Sequence, residues 1–551
     1  MTAAAAAAFI LLAAAPASAL ISPPEASSAP AVGGIIIERT NVFDPSVPGE
    51  DWWPFRTADK IHILTRETII RREILFAPGE PWDALKALES ERNLRTNGAF
   101  RRAEIVQVPR PDGSSDAVVR TQDAWTTNPK LSAGTEGGES FLSFGIEEGN
   151  ILGYGKSVSF EHSQKGAKKS NSYGYGDPRF LGSRLGLSGN YARNQDGDQI
   201  GADLARPFFS LEAGHALGMG WTRTLAEESL VRDAEVYSKY RKRVRLADAA
   251  YGVRLSGDRD FVQRGEAGWY SEKLAYDPTA DTLAGTLPPD RELSGPTVGY
   301  SWVQPHYVKE TNIDRMERIE DFNLGNEMKA RAGFMAAATG SNRDRGIFNV
   351  SDQQGLGLGD GRFALARVAA SSRIAGGRWE NGLLTAGLNF FWKTRWTRER
   401  TLVLHLEGSS GRFLDLANQL SLGGNSGLRG YKNDSFVGGK SVLFNLEDRF
   451  FFDGEYFHLV RLGGALFVDS GTAVPEGSGI SFARFKTDLG AGLRLASSRS
   501  RSGSVVRIDL AYALNGGPGG SRLVVSVRGG QAFNLFNSST RRVSTSPASR
   551  L

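Results

Sequence analysis

The residues with the clearest chemical potential are one arginine and one aspartate. Arg429 lies in the glycine-rich segment Leu422-Gly-Gly-Asn-Ser-Gly-Leu-Arg-Gly-Tyr431, and Asp469 lies in Phe467-Val-Asp-Ser-Gly471. A guanidinium presents a planar fork of N–H donors that matches a carboxylate, so the two side chains can form a bidentate ion pair. The glycines permit the loop backbone to approach a neighbouring wall closely. The chemistry indicated is the pinning of a loop by an ion pair.

The segments around this pair are predicted to be strands with one polar and one apolar face. Six runs between residues 400 and 528 alternate with a period of two, placing charge on one side and large apolar residues on the other. That pattern is typical of a membrane barrel with a polar interior. A soluble sheet protein is the alternative. By this parity the interior side carries a polar network of Asn445, Glu447, Arg449, Asp469 and Arg494.

The remaining polar residues do not indicate an enzyme or a cofactor. Glu447 and Arg449 share one face and are most simply an ion pair. No paired carboxylates suited to hydrolysis stand out. The glycine-rich tracts at 355–361 and 515–520 lack the Lys-Ser/Thr of a phosphate loop. No two histidines have metal-ligand spacing, so no metal site is expected; they are His62, His162, His215, His306, His405 and His458.

The composition narrows the class of protein. The chain has 551 residues, no cysteine, 66 glycines and 10% aromatic residues. Without cysteine, neither disulfides nor thiolate sites exist. A hydrophobic fraction of 40% and a mean hydropathy of −0.30 argue against a bundle of membrane helices. The net charge of +5 is small for this length and does not indicate nucleic-acid binding.

The N-terminal region is predicted to be exported and then flexible. Ala3 to Ala15 is apolar, and Ala17-Ser18-Ala19 has the form of a cleavage site, so residues 1–19 are expected to be a signal peptide. No basic residue precedes the apolar run, which departs from the usual signal pattern. Residues 20–58 are rich in Pro, Ala, Ser and Gly and are expected to be a linker.

Residues 59–124 are predicted to form a small α+β unit. A strand is expected at Ile61–Leu64, a helix at Glu67–Phe76 and a second helix from Pro81. Two strands, 101–108 and 117–121, follow around the turn Pro111-Asp112-Gly113. The unit is thus expected to run strand, helix, helix, strand, strand.

This unit resembles a POTRA domain, the periplasmic module of the BamA/TamA-like outer-membrane assembly family in the bacterial surface antigen superfamily. The resemblance rests on 67–108, with Glu-Thr-Ile-Ile-Arg-Arg-Glu-Ile-Leu-Phe-x-Pro-Gly and Ser90-Glu-Arg-Asn-Leu-Arg95. Arg429-Gly430-Tyr431 resembles the lumen-loop motif of the same family, and Phe467-x-Asp469-x-Gly471 resembles its strand partner. The resemblance implies that these six residues form a loop latch against the barrel wall.

The resemblance also implies the fold: a mainly β chain with one small α+β POTRA domain and a 16-stranded antiparallel transmembrane β-barrel at 139–533. Periodicity alone indicates about eighteen strands, with 225–325 the hardest region to divide. There the charged run 240–245 is interpreted as a solvated rim. The last strand, with Gly529, Gly530 and Phe533, would form a weak seam with the first, and a polar tail would occupy 534–551.

The implied function is insertion or translocation of polypeptides at a bacterial outer membrane, without enzymatic activity or cofactor. The POTRA-like domain would lie in the periplasm and bind unfolded polypeptide clients by strand addition. Outer-membrane lipid and accessory periplasmic or lipoprotein partners are further expectations, and nucleic acid is not. Two alternatives stay open: a passive outer-membrane channel or structural barrel, and a two-partner-type secretion transporter. The Pro-rich 20–50 stretch argues against the plug helix of the latter.

Overall fold

The computed structural model describes residues 29–529, except for gaps at 137–138, 166–167, 396–397, 417, 502–504 and 519–521. These residues form an N-terminal module and one closed β-barrel. No helix in this part of the chain is both long and apolar enough to cross a membrane. The expected signal peptide, the polar tail, Gly530 and Phe533 lie outside the described residues.

The module combines a three-stranded sheet with three helices. In the sheet the order is β1-β3-β2, with β1 parallel and β2 antiparallel to β3. The longest helix, α3, begins after Asp83, whose carboxylate accepts two backbone N–H bonds, and ends at Gly98 with φ of 76°. The elements are β1 Val32–Thr40, α1 Trp53–Ile61, α2 Glu67–Arg71, α3 Ala84–Asn97, β2 Phe100–Pro109 and β3 Ser115–Asp123.

Three expectations about the module are corrected, one of them the helix at Glu67–Phe76, which ends as α2 at Arg71. Residues 32–40, placed in the linker, form β1 and pair with β3 along most of their length. The strand expected at Ile61–Leu64 is absent, because Ile61 ends α1 and residues 63–66 are irregular. The β-branched run at 35–37 packs against the module core, whereas Ile61 is 72% exposed. The segments on either side of β1 are rich in Pro and Ala, and this composition indicated a linker despite the β-branched residues within β1. The strands expected at 101–108 and 117–121 are confirmed as β2 and β3.

Within the described part of the chain, the barrel contains twenty antiparallel strands that follow chain order and close on themselves. Two small hairpins lie outside its wall: β14 Tyr307–Glu310 with β15 Glu320–Asn323, and β21 Leu420–Leu422 with β22 Phe436–Gly438. The wall strands are β4 Thr127–Glu136, β5 Glu139–Glu148, β6 Ser157–Lys165, β7 Lys168–Asp177, β8 Gly186–Asn194, β9 Gly197–Arg206, β10 His215–Arg232, β11 Glu235–Gly257, β12 Val262–Pro278, β13 Arg291–Val303, β16 Asn326–Met335, β17 Arg345–Gly359, β18 Arg362–Ala375, β19 Arg378–Arg395, β20 Glu399–Arg412, β23 Lys440–Phe451, β24 Val460–Val474, β25 Lys486–Ser497, β26 Val505–Ala513 and β27 Leu523–Gly529.

The predicted mainly β, antiparallel architecture is confirmed, but the expected number of sixteen strands is wrong. The wall also begins at Thr127 and not at the expected residue 139, so the predicted barrel omits β4. Strands β6 to β9 are short, and their inward positions are mostly serine, glycine and asparagine, so the charge contrast that marks the C-terminal strands is weak there. The roughly eighteen strands indicated by periodicity are closer to the observed twenty than the sixteen implied by the family resemblance.

The two ends of the barrel differ. We call the end that adjoins the module the near end and the opposite end the far end. The expected contrast of short near-end turns and long far-end loops holds in part after β12. Far-end connections there span 279–290, 413–439 and 475–485, but the near-end connection 304–325 is also long and the far-end turn 376–377 is short. Before β10 it is reversed. The near-end turns at 149–156, 178–185 and 207–214 are longer than the far-end turns because they fold against the module.

The inward and outward faces of the C-terminal strands are those predicted by parity. On β23, Asn445, Glu447 and Arg449 are buried inside the barrel, while the alternating apolar residues lie on the outer face. The same alternation holds on β20, β24, β25 and β26. Many large apolar side chains are therefore exposed on the outside of the wall, among them Leu406, Leu466, Val468, Leu489, Leu493, Leu510 and Tyr512.

Candidate functional site

The candidate site lies where the far-end loop 413–439, here called the lumen loop, folds into the barrel. Its hairpin β21–β22 leads to a short 3-10 turn at Gly424–Ser426, followed by Gly427 with φ of 101°. The left-handed backbone at Gly427 is open mainly to glycine. Leu422 and Leu428 then bury against Leu443 of β23 and Ala513 of β26. Apolar packing thus holds the loop against the wall independently of its ion pairs.

Arg429 reaches Asp469 on β24. Its Nε and Nη2 donate to the two carboxylate oxygens at 2.8 and 2.9 Å, and its backbone N–H donates at 3.3 Å. Nη1 donates to Glu447 at 2.5 Å. The guanidinium carbon lies 3.4 Å from the ring centre of Phe467, a cation–π contact. Arg429 is only 4% exposed, so this fork is held away from bulk water.

The neighbouring motif residues have positions that explain their side-chain types. A Cβ on Gly430 would lie 2.5 Å from that of Asp488, so only glycine permits the loop to lie against β25. Similarly, a Cβ on Gly471 would lie 2.7 Å from a carbonyl oxygen of β23. The Tyr431 hydroxyl donates to the carbonyls of Thr487 and Asn515, both at 3.1 Å. The tyrosine therefore joins the loop to β25 and to the connection after β26.

Around Arg429 the inner wall carries a connected polar network. Arg449 donates to Glu447 at 2.8 Å, and Arg494 contacts Glu447 at 3.3 Å and Asp509 at 2.6 Å. Asn445 donates to Asp469 at 2.8 Å and to the carbonyl of Gly427 at 2.7 Å. The structure thus brings together Asn445, Glu447, Arg449, Arg494, Arg429 and Asp469.

Because this network is buried, its carboxylates need their arginine partners in a defined geometry. Glu447 and Asp469 are fully buried, and each carboxylate would be costly without its arginine. Replacing a buried ion pair by apolar residues is often neutral, whereas removing one partner costs about 3–5 kcal/mol. The network therefore fixes the position of the lumen loop, because buried ion pairs require a defined geometry. The apolar contacts of Leu422 and Leu428 stabilise the docked loop but are not directional.

A second segment fills the lumen from the near end. Residues 304–325, the connection between β13 and β16, fold inward so that Ile313 packs on the inner face of β18, β19 and β20. Its carbonyl accepts a bond from Arg449 Nη1 at 2.6 Å. Met316 of the same segment packs against β23, β25 and β26. We call this segment the near plug, and sequence patterning gave no signal for it.

The turn of the near plug is held together by one of its own acidic residues, Glu320. The carboxylate of Glu320 accepts backbone N–H bonds from Ile313 and Asp314, both at 3.1 Å, and from Arg315 at 3.3 Å. Burial, with Asp314 nearby, raises the pKa of Glu320 to about 8. Burial also raises the pKa of Asp314 to about 6. Glu320 therefore holds a proton near neutral pH.

The module is bonded to the near plug. Arg95 of α3 makes a bidentate pair with Asp321 at 2.8 and 2.6 Å, and Glu91 pairs with Lys309. Arg318 of the plug donates to the carbonyl of Phe100, at the start of β2, at 3.2 Å. These pairs connect the module to the plug, and Arg449 and Glu447 connect the plug to Arg429.

Other near-end turns surround the module. Asn150 donates to Thr65 at 2.8 Å, Leu211 donates its backbone N–H to Glu89 at 3.0 Å, and Arg499 donates to Glu50 at 2.6 Å. The turns involved follow β5, β9 and β25, which lie on an arc of the wall that crosses the seam from β25 to β9. The module therefore lies across the near-end mouth rather than hanging from one strand.

Among the described residues, the seam between the first and last strands is the least extensively paired part of the wall. Within the described residues, Ser526 opposite Gly134 is the single paired position that joins β27 to β4. By comparison, β26 and β27 pair at seven positions. Gly529, named in the expected seam, ends β27.

One carboxylate–imidazole group has the proximity of a metal site. The ligand atoms of Glu50, Glu455 and His458 lie within 4.8 Å of one another. Arg499 donates to Glu50 at 2.6 Å and to Glu455 at 3.0 Å, so a guanidinium already neutralises both carboxylates. The residues present fit an ion-pair cluster better than a cation. Sequence spacing could not reveal this group, because its members come from the module and a near-end turn.

Sequence reasoning also missed two acids of the lumen network. Asp488 lies directly opposite Asp469 on the adjacent strand, and Asp509 binds Arg494. The alternation along 505–512 puts Asp509 on the polar face of its strand. It could not show that β25 and β26 bring both acids to the loop. Four arginines, Arg429, Arg449, Arg494 and Arg507, here face four carboxyl groups, those of Glu447, Asp469, Asp488 and Asp509.

The fold and site define a closed antiparallel β-barrel whose lumen is occupied by its own loop and whose near end carries an α+β module. No protein-family model matches the chain. Among solved structures, it is similar to BamA from Haemophilus ducreyi lacking POTRA domains 1–3, with 13% identity over 90% of this chain and 84% of that one and a TM-score of 0.37. CdiB from Acinetobacter baumannii has 12% identity, covering 91% and 74%, with a TM-score of 0.47. CdiB from Escherichia coli has 12% identity, covering 91% and 76%, with a TM-score of 0.48.

Proposed function

We propose that this chain is an outer-membrane barrel of the BamA/TamA-like type that inserts or translocates polypeptides. The observation that carries the proposal is the seam, where one paired position among the described residues joins β27 to β4, while the other neighbouring strands pair at seven or more positions. An unpaired strand edge is a template for strand addition. A wall that opens at one place offers such an edge to a client and a path from the lumen into lipid.

The membrane setting of the proposal follows from the outer surface. Leucine, valine and aromatic side chains alternate outward along the strands, and the inward residues are polar. Only a closed sheet leaves no backbone edge unsatisfied in lipid. Outward apolar residues on a closed barrel are therefore best accounted for by a hydrocarbon environment.

In this mechanism the lumen loop is a latch. Arg429 holds it to the inner walls of β23 and β24 through Glu447 and Asp469, two strands on the C-terminal side of the barrel. Pinning keeps the wall in register while the seam opens elsewhere. No cofactor or covalent step is required, because strand exchange replaces one set of backbone hydrogen bonds by another.

The N-terminal module would act as a POTRA-like client-binding domain in the periplasm. Its outer strand β2 is an edge of the sheet, but the N–H of Ile105 donates to Glu91 at 2.8 Å and the carbonyl of Phe100 accepts from Arg318. Client pairing at β2 would require these bonds to be released. Docking of the module and client binding are therefore competing states.

A reconstituted folding assay tests the proposal. The full chain is placed in phosphatidylcholine vesicles, and the folding rate of an unfolded outer-membrane barrel client is compared with that in empty vesicles. We expect acceleration. Planar-bilayer conductance of the same preparation separates the alternatives, since a chain that conducts but never accelerates client folding is a channel.

One observation favours the passive channel as the second candidate. A polar recess lies beside the near-end turn 207–214, lined on the inner wall by Arg264, Glu266, Glu327, Lys329 and Arg331. Arg331 and Glu266 pair at 2.6 Å, so the recess is charged yet internally compensated. Ions could use this space if the near plug moved, and conductance would then depend on the plug and not on the seam.

A further inference from the structure

An outward-facing row of cations crosses three strands toward the far end of the barrel. Arg223 of β10 lies directly opposite Arg245 of β11, which lies directly opposite Lys273 of β12. Arg243 and Arg241 follow on the same face of β11, two and four residues further toward the far end. All five side chains are exposed. The run 240–245, interpreted from sequence as a solvated rim, is thus part of a strand, and three of its arginines point outward.

Like charges directly opposite each other on a sheet are destabilising unless an anion compensates them. Two acids, Glu227 and Asp277, lie directly opposite Arg241, but each is engaged by other cations. Arg243 pairs with Asp277 at 2.8 Å, Lys273 pairs with Glu292, and Arg223 lies 3.9 Å from Asp198. Glu227 is shared by Lys168 and Lys239. Arg241 and Arg245 make no ion pair or side-chain hydrogen bond with any described residue. The surface therefore carries two surplus guanidinium groups beside three other cations.

The height of this row along the barrel is fixed by its neighbours. Arg223 pairs with Ile200, one position before the last pairing of β9 with β10, so the row lies at the rim of the shorter part of the wall. On the same outward face, Trp221 lies two residues toward the near end from Arg223, and Trp269 lies four residues from Lys273. Exposed tryptophans of this kind mark the interface between hydrocarbon and headgroups.

We propose that Arg241 and Arg245, supported by Arg223, Arg243 and Lys273, form a site for the phosphate groups of an anionic lipid in the far-end leaflet. Guanidinium groups bind phosphate oxygens in a bidentate manner, and basic clusters at the headgroup level recognise phosphorylated lipids. The apolar chains of the lipid would lie along the outward surface below Trp221 and Trp269. The proposal rests on the membrane setting of the proposed function and adds to it a lipid class and an orientation.

The probe is lipid A, a glycolipid with two phosphates, titrated onto the full chain held in phosphatidylcholine nanodiscs. The test variant is the double substitution Arg241→Gln/Arg245→Gln, which removes the two arginines without an internal partner. The matched control is Arg378→Gln/Arg412→Gln, which removes two exposed far-end arginines on β19 and β20. Each cation near a membrane surface contributes about 1 kcal/mol, so we expect roughly thirtyfold weaker binding in the test variant and none of this loss in the control.

Equal affinities in the test variant and wild type, or equal losses in test and control, would overturn the proposal. A parallel titration with inorganic phosphate separates lipid from free anion, since displacement of lipid A by phosphate at millimolar concentration would overturn the lipid assignment. Insertion of wild type into vesicles lacking lipid A is measured first. If the wild type does not insert into these vesicles, the membrane setting is refuted. If it inserts normally but does not bind lipid A, only the proposed lipid site is refuted.

Discussion

Arg449, on the inner face of β23, donates a hydrogen bond to the backbone carbonyl of Ile313 at 2.6 Å. The same guanidinium binds Glu447, which also binds Arg429 of the lumen loop. The loop that enters from the far end and the plug that enters from the near end therefore meet at one buried carboxylate. Since the near plug is also bonded to the module through Asp321, a continuous set of polar contacts joins the module to the lumen loop.

The first prediction concerns the ion pair of the lumen loop. Arg429→Ala leaves Glu447 and Asp469 buried without their fork, and we expect a loss of about 3–5 kcal/mol in stability. Arg429→Lys keeps the charge but cannot form the bidentate pair, so its loss should be smaller. Heat-modifiability on gels and protease cleavage of 413–439 measure both effects. Arg412→Ala, an exposed arginine where the loop begins, serves as control. An Arg429→Ala protein that melts and resists protease like wild type would refute the latch.

The second prediction concerns closure of the near-end mouth. Arg95→Ala removes the bidentate pair with Asp321, in which both side chains are largely buried. We expect the module to detach more often, with higher single-channel conductance and faster proteolysis between the module and β4. Arg71→Ala breaks a solvent-exposed pair with Glu67 on the same module and should change neither reading. Unchanged conductance in Arg95→Ala would show that the module does not close the mouth.

The third prediction tests the seam directly. Because the chain has no cysteine, Gly134→Cys/Ser526→Cys introduces the only two thiols. Directly opposite antiparallel residues have Cα atoms roughly 4.5–5.5 Å apart, within the range of a disulfide. We expect the oxidised protein to lose acceleration of client folding and to regain it on reduction. Ser143→Cys/Ser163→Cys, an opposed pair between β5 and β6, is the control. Full activity of the oxidised seam variant would contradict lateral opening.

The fourth prediction is a pH dependence of the near plug. The pKa of Glu320 is raised from 4.5 to about 8, so between these values the docked plug binds a proton that the released plug does not. Stability of the docked plug should therefore fall as pH rises from about 4.5 to about 8, and level off above. Hydrogen exchange of the backbone amides at 313–315 measures this. Glu320→Gln should remove the fall between about pH 6 and about pH 8 and leave the smaller fall below pH 6 that comes from the raised pKa of Asp314. Glu317→Gln, an exposed acid in the plug, should preserve the whole profile. A flat wild-type profile would contradict the assignment.

The amino-acid sequence by itself determined the class of fold and the faces of the C-terminal strands. Alternation along β20 to β26 records which side of each strand meets apolar surroundings, and that information is local. It also indicated the pair Arg429 and Asp469, because parity placed the aspartate inside. The glycine-rich composition of 422–431 predicts close approach to a wall, but the requirement for glycine at Gly430 comes from Asp488 on β25, which only the fold brings there.

Only the tertiary structure decided the number of strands, the membership of β1 in the module and the route of the near plug. Strands with serine and glycine inside lack the charge contrast that parity requires, so β6 to β9 give little signal. Ile313 has no pattern that predicts its burial, since its partners on β18, β19 and β20 are brought to it by closure of the barrel. The ring of opposed acids and arginines likewise depends on strand register, which is set by pairings between residues distant in the chain.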